Sequence, residues 1–92
     1  MVEFEWDEAK REDVWQTRKV EFETAVQIFL GRIVSVVDER EDYGEIRYRS
    51  VGLVEGECYI VVHTRRGDRV RIITAWKGGA HDRRFYDTHL DG

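Results

Sequence analysis

The chain has 92 residues, of which 41% are hydrophobic and 37% charged, and its formal net charge is −4. This length and hydrophobic content predict a single folded domain over residues 1–92 and exclude a disordered chain. One cysteine excludes an internal disulfide, and no apolar run approaches the roughly 20 residues that a membrane span requires. We therefore expect a cytoplasmic protein that makes no use of a membrane.

The N-terminal part predicts one short strand and two helices. Residues 2–6 alternate apolar and acidic side chains, which is a strand pattern. Asp7 is placed to N-cap a helix that runs to about Gln16. Apolar residues with helical spacing predict a second helix over residues 22–30, with Gly31 ending it.

After Gly31 the hydrophobic period changes from 3.6 to 2. Turn signals at Glu55-Gly56 and Gly67-Asp68 separate strand-like runs, and a short helix follows Gly78-Gly79 at residues 80–88. The predicted strands cover residues 33–37, 45–54, 58–64 and 70–76. The chain thus predicts an α+β fold: an antiparallel sheet of four main strands plus the short N-terminal strand, with helices grouped on one face. The two N-terminal helices take that face, and a short C-terminal helix follows the sheet.

Basic residues concentrate in the second half of the chain. Residues 1–45 carry a charge balance of −7 and residues 46–92 a balance of +3. Arg47 and Arg49 alternate with Ile46 and Tyr48, and Arg71 lies between Val70 and Ile72. If the apolar residues face the helices, the three arginines share the open face of the sheet. Such a face either holds phosphate or is an ordinary solvated surface.

Five motifs follow one another along the chain: FEWDEAK (4–10), VEFETAVQIF (20–29), GEIRYRSVG (44–52), HTRRGDRVRIITA (63–75) and RRFYD (83–87). In this order they resemble the BrnT toxins, a family of RelE-like ribonuclease toxins of type II toxin–antitoxin systems. The resemblance covers nearly the whole chain. It departs from the family pattern at residues 17–19, where the family has Lys-His-Gly, at Glu21, which replaces a serine, and at Trp76, which replaces an arginine.

The resemblance implies a RelE-like fold and an endoribonuclease toxin that inhibits translation. Such toxins are understood to cleave RNA without a metal or other cofactor, by attack of the 2′-hydroxyl on the adjacent phosphate. The implied partner is a BrnA-like antitoxin that binds DNA, so operator DNA would be reached only through the antitoxin. The alternative, suggested by Trp76, is a catalytically weakened module that binds an antitoxin or RNA without cleavage.

This chemistry needs a base, cations for the phosphoryl oxygens and an acid for the leaving oxygen. Arg66 and Arg71 are the expected catalytic cations. His63 is the leading candidate for proton transfer, although a histidine at a strand end is also a common structural residue. The expected RNA-binding residues are Arg47, Arg49, Trp76, Lys77, His81, Arg83 and Tyr86.

Three of these residues have more than one interpretation. Trp76 either stacks on an unpaired base, or caps the core or contacts a partner protein. His81 is an acid, a phosphate donor or a surface residue, and Tyr86 donates from its helix or packs in the core. No metal site is expected, because Cys58 has no spaced Cys or His companions and the acidic residues 38–42 lack calcium-loop spacing. We interpret these acidic residues as a solvated turn.

Overall fold

A computed structural model describes residues 2–90. It contains five strands, three α-helices and a 3₁₀ helix that directly continues the second α-helix. In chain order these are β1 (Glu3–Trp6), α1 (Glu8–Arg18), α2 (Phe22–Ala25), the 3₁₀ helix (Val26–Leu30), β2 (Val34–Val37), β3 (Tyr48–Val54), β4 (Glu57–Arg66), β5 (Arg69–Lys77) and α3 (Ala80–His89).

The five strands form one mixed sheet in the order β1-β5-β4-β3-β2. Strands β2 to β5 are antiparallel, as expected, but β1 pairs with β5 in parallel, with Phe4 opposite Val70 and Trp6 opposite Ile72. The prediction of an antiparallel sheet was therefore wrong for the N-terminal strand, which makes the sheet mixed. β1 takes this place because Phe4 and Trp6 pack on the same apolar cluster as Val70 and Ile72.

The first helix follows its sequence signals. The Asp7 carboxylate accepts hydrogen bonds from the backbone N–H groups of Ala9 (2.8 Å) and Lys10 (3.4 Å), which satisfies two donors of the first turn. The helix ends where Lys19 adopts a left-handed conformation (φ 56°) and its N–H bonds to the Trp15 carbonyl. This end lies two residues beyond the predicted one.

The second predicted helix is only partly α-helical. A single α-helical turn at Phe22–Ala25 tightens into the 3₁₀ helix at Val26–Leu30. Gly52 of β3 lies directly beneath this helix: a Cβ atom there would come within 2.7 Å of the Ile28 Cβ and 3.2 Å of the Ile33 Cγ2. The absent side chain therefore lets the helix approach the sheet closely.

This contact predicts that Gly52→Ala destabilises the fold. Ile28 is fully buried and has no room to move away, so the extra methyl group should lower the free energy of unfolding by about 1–3 kcal/mol. Urea unfolding measures the effect. Gly31→Ala is the matched control, since the nearest atom to its added Cβ lies at 4.0 Å; equal midpoints for the two variants would contradict the prediction.

Helices cover both faces of the sheet. The two N-terminal helices share one face as predicted, but α3 lies on the other, so the expectation that all helices group on one face was wrong. Helices α1 and α2 and the 3₁₀ helix cover what we call the α1–α2 face, which holds the larger core. Its buried residues are Val14, Val20, Phe22, Ala25, Ile28, Val54, Tyr59, Val61, Val70, Ile72 and Ala75. Helix α3 covers one end of the opposite face, the α3 face, through Tyr86 against Val51, Cys58 and Ile60.

A β-bulge changes which residues of β5 share a face. Val62 pairs with Thr74 and His63 with Ile72, which leaves Ile73 as an extra residue. Arg71 and Trp76 are five positions apart, a spacing that would place them on opposite faces of a regular strand. Because of the bulge, both lie on the α3 face. None of the helices in residues 2–90 combines the length and apolar character needed to cross a membrane.

Candidate functional site

Four basic side chains meet in a hollow on the uncovered part of the α3 face. The hollow has a volume of about 270 Å³ and is lined by Asp7, Lys10, Arg47, Arg66, Arg71, Ile72 and Ile73. Lys10 comes from α1 and Arg47 from the residues just before β3. Arg66 comes from β4 and Arg71 from β5. Residues that are far apart in the sequence therefore converge at this point, which we call the arginine hollow.

Carboxylates hold the three arginines in place. Glu45 contacts Arg47 Nε at 3.0 Å and Arg66 Nη2 at 3.5 Å. Glu5 contacts Arg71 Nη1 at 2.7 Å, and this hydrogen bond is the main cause that lowers the pKa of Glu5. The Arg47 guanidinium also lies 4.1 Å from the centre of the Tyr43 ring. These contacts orient the cations without a bound ligand, which is the preorganisation that electrostatic stabilisation requires.

Two charged residues at this hollow were not predicted as site residues, although the motifs contain both: Lys10 lines the hollow, and Glu45 contacts two of its arginines. Lys10 lines the hollow and makes no ion pair with any residue of the described range 2–90. Glu45 bridges Arg47 and Arg66 and is only about a quarter exposed. Their presence in FEWDEAK and GEIRYRSVG was the available signal, but nothing local in the sequence brings them together.

A second hollow lies beside the first on the α3 face. It has a volume of about 210 Å³ and is lined by Val36, Arg49, Val51, Ile60, Trp76, His81, Asp82 and Phe85. We call it the tryptophan hollow. The Nε atom of Arg49 is buried and has no hydrogen-bond partner within residues 2–90. Of the predicted RNA-binding residues, Arg49, Trp76 and His81 meet here.

The Trp76 ring is in contact with two further arginines. The Arg18 guanidinium lies 5.1 Å from the ring centre and that of Arg40 lies 5.7 Å away. Arg18 ends α1, and Arg40 belongs to the loop between β2 and β3. Neither was a predicted site residue, and neither has a sequence signal that points to Trp76.

His63 lies on the other side of the sheet. It is 9% exposed on the α1–α2 face, with the Phe29 ring at 5.1 Å and the Tyr48 ring at 5.8 Å. Its Nε2 atom forms a 2.7 Å hydrogen bond with the Ser50 hydroxyl, and burial lowers its pKa to about 4. The structure therefore does not bring His63 together with Arg66 and Arg71, because the alternation of β4 places it with Tyr59 and Val61.

Three other predicted RNA-binding residues line neither hollow. Lys77 is cross-strand to Tyr59, on the α1–α2 face, and pairs with Glu57 at 3.6 Å. Arg83 is exposed on α3 and pairs with Asp87 at 3.4 Å. Tyr86 is buried in the core, where its hydroxyl donates to the Arg32 carbonyl oxygen at 2.9 Å. The packing interpretation of Tyr86 fits this position.

The acidic loop before β3 is not simply a solvated turn, so that prediction was wrong for its first residue. The Asp38 side chain is fully buried and accepts hydrogen bonds from Arg40 Nε (2.7 Å) and Nη2 (2.8 Å). These bonds lower the pKa of Asp38 to about 2. Within residues 2–90, no group of three or more His, Cys, Asp or Glu side chains is arranged to hold a metal ion.

The family model for the ribonuclease toxin BrnT of type II toxin–antitoxin systems matches residues 6–81. The chain belongs to the BrnT family. The structure is similar to the crystal structure of the Brucella abortus ribonuclease toxin BrnT, with a TM-score of 0.65 at 18% identity, over 86% of this chain and 99% of that one. No significant match was found among curated proteins.

Membership in the BrnT family confirms the resemblance and makes this chain a ribonuclease toxin of a type II toxin–antitoxin system. Toxins of these systems bind a protein antitoxin. The family match includes Lys10, Glu45, Arg47, Arg66 and Arg71, so the whole arginine hollow lies inside it. The mixed α+β sheet agrees with the BrnT structure, while the wider RelE-like relationship stays a prediction.

Proposed function

We propose that the chain is a metal-independent endoribonuclease whose arginine hollow binds the scissile phosphate of RNA. The observation that carries this proposal is the convergence of Lys10, Arg47, Arg66 and Arg71 on one hollow. Guanidinium groups match the geometry of phosphoryl oxygens and remain charged throughout the reaction. Four fixed cations supply the positive charge that a metal ion supplies in other nucleases.

The carboxylate of Glu45 is the proposed general base. It is held between two of the phosphate-binding arginines, Arg47 and Arg66, where a bound nucleotide would present its 2′-hydroxyl. The hydroxyl proton passes to Glu45 while the 2′-oxygen attacks phosphorus, which forms a 2′,3′-cyclic phosphate and breaks the bond to the 5′-oxygen. Lys10 Nζ donates the proton that the leaving 5′-oxygen takes up.

His63 has no part in this proposal, because it lies on the opposite face. The proposed biological setting follows from the family: a BrnA-like antitoxin binds the toxin in the cytoplasm, and operator DNA is reached only through that antitoxin. Translation inhibition would then result from RNA cleavage.

The second candidate function is a binding module without cleavage. It is favoured by the pairing of Arg47, Arg66 and Arg71 with Glu45 and Glu5, which already compensates much of their charge. Cleavage requires RNA phosphate to compete with these carboxylates, whereas a weakened relative would leave the ion pairs intact. The two candidates differ in whether RNA is broken.

Incubation of the purified, folded chain with RNA in excess EDTA separates the candidates. We expect cleavage to persist after metal removal and to leave 2′,3′-cyclic phosphate ends, because the proposed mechanism uses only side chains. A substrate with 2′-deoxyribose at the cleaved position should resist, since it lacks the nucleophile. Intact RNA with the folded protein would favour the binding module, and activity lost in EDTA but restored by a divalent metal would contradict metal independence.

A further inference from the structure

Arginines from three separate parts of the chain lie around Trp76. Arg18 and Arg40 contact its ring at 5.1 and 5.7 Å, and Arg49 lines the hollow beneath it. Cation–π contacts of this kind hold a guanidinium in position while its edge remains available for hydrogen bonds. The indole ring thus positions two arginines. Base stacking was one of the interpretations of Trp76, and these contacts already occupy the ring.

The positive charge around Trp76 is incompletely compensated. Arg18 and Arg49 have no carboxylate within ion-pair distance among residues 2–90. The nearby Asp82 carboxylate accepts a 2.9 Å hydrogen bond from the Gly79 N–H and so serves the start of α3. The Arg49 Nε atom is buried and has no hydrogen-bond partner within residues 2–90, so no acceptor there offsets the charge of this guanidinium. The site as it stands therefore favours an anionic ligand.

Asp38 fixes the third cation. Its two carboxylate oxygens accept hydrogen bonds from Nε and Nη2 of Arg40, which fixes the orientation of this guanidinium. The backbone N–H of Asp38 also donates to the Arg47 carbonyl oxygen at 2.7 Å. One buried residue thus connects Arg40, beside Trp76, with Arg47 in the arginine hollow. The two basic sites are neighbours on one face.

We propose that Arg18, Arg40 and Arg49, arranged around Trp76, form a second phosphate subsite that binds a backbone phosphate next to the scissile one. The inference rests on the proposed ribonuclease function. RNA is favoured over an acidic protein segment because the site continues a phosphate-binding hollow along the same face. Asp38 is a positioning residue for this subsite. Neither Asp38 nor the three arginines need to touch the reacting atoms.

Substrate length provides the test. A dinucleoside monophosphate has one phosphate and fills only the arginine hollow, whereas an oligoribonucleotide also reaches the second subsite. Arg18→Gln should lower kcat/KM for the oligonucleotide about tenfold more than kcat/KM for the dinucleotide, since a charge-assisted contact contributes roughly 1.4 kcal/mol. Arg84→Gln is the matched control: it removes one exposed charge from α3 that makes no ion pair within residues 2–90. In Arg84→Gln, the ratio of kcat/KM for the oligonucleotide to kcat/KM for the dinucleotide should equal that of the wild type.

Binding of an uncleavable 2′-O-methyl oligonucleotide keeps the inference independent of catalysis. Arg18→Gln should raise Kd about tenfold and reduce the slope of log K against log salt by about 0.7, the value for one phosphate contact on a single strand. Trp76→Leu should also raise Kd, because Arg18 and Arg40 lose the ring that positions them.

If the chain cleaves no RNA but these binding changes occur, the nuclease proposal fails and the subsite stands. Equal Kd and slope for Arg18→Gln and Arg84→Gln would overturn the subsite and favour an acidic protein segment there. An equal loss on both substrates would place Arg18 at the scissile phosphate and also overturn it.

Discussion

Arg47→Gln should lower kcat for RNA cleavage by about 10² to 10³, the loss typical of removing one preorganised group that stabilises the transition state. Arg47 is held by Glu45 at 3.0 Å and by the Tyr43 ring, and it lines the arginine hollow with Arg66 and Arg71. Glutamine retains hydrogen-bonding capacity but not the charge that opposes negative charge on the phosphoryl oxygens. Single-turnover cleavage of a defined oligonucleotide measures the loss.

Two companion variants show whether the loss is electrostatic. Arg47→Lys keeps the charge but not the planar fork, so it should recover part of kcat. Arg84→Gln removes a charge from the surface of α3 and should cleave like the wild type. Thermal unfolding of each variant excludes a loss of folded protein. A folded Arg47→Gln variant with kcat within about threefold of the wild type would contradict a role in phosphate stabilisation.

Acid should destabilise this protein through His63. Burial holds the pKa of this histidine at about 4 in the folded chain, below its ordinary value of 6.5. Between these pH values the unfolded chain binds a proton that the folded chain does not, so stability is complete above pH 6.5 and falls as the pH drops to 4. The shift corresponds to a loss of about 3 kcal/mol. Urea unfolding at several pH values between 7 and 4 measures it.

His63→Gln should flatten this pH dependence, because glutamine can still bond with the Ser50 hydroxyl but does not titrate. His89→Gln, a change at an exposed position of α3, is the control and should keep the wild-type profile. A further loss below pH 3.8 belongs to Asp38, whose pKa of about 2 makes its contribution disappear in that lower range. An unchanged profile in His63→Gln would contradict the assignment. Loss of cleavage in folded His63→Gln would restore the catalytic interpretation of this residue.

The local patterns of the sequence were sufficient for most elements. Asp7 as N-cap, the alternation around Arg71 and the Gly-containing turns at Gly56 and Gly67 depend on residues close in the chain, and each was found where predicted. Ile46 shows the limit of such patterns. Its alternation with Arg47 suggested a strand facing the helices, yet β3 begins at Tyr48 and Ile46 is 64% exposed. Strand edges depend on the pairing partner, which no local pattern contains.

The candidate site was predictable only in part for the same reason. Arg47, Arg66 and Arg71 were identified as cations. The pairing of Arg47 with Glu45 is local, but Arg66 meets Glu45 and Arg71 meets Glu5 across long stretches of the sequence. The contacts of Arg18 and Arg40 with Trp76 join α1, the β2–β3 loop and β5. Such contacts arise only when the chain is packed.

The sequence by itself determined the order of strands and helices, the family and the identity of the basic residues, because each follows from neighbouring residues or from motif order. The tertiary structure decided which face those residues share. The parallel pairing of β1 depends on distant apolar contacts, and the bulge at Ile73 reverses the alternation within β5 so that Arg71 and Trp76 lie on one side. A single extra residue in a strand exchanges the two faces beyond it, and only pairing with the neighbouring strand shows where that happens.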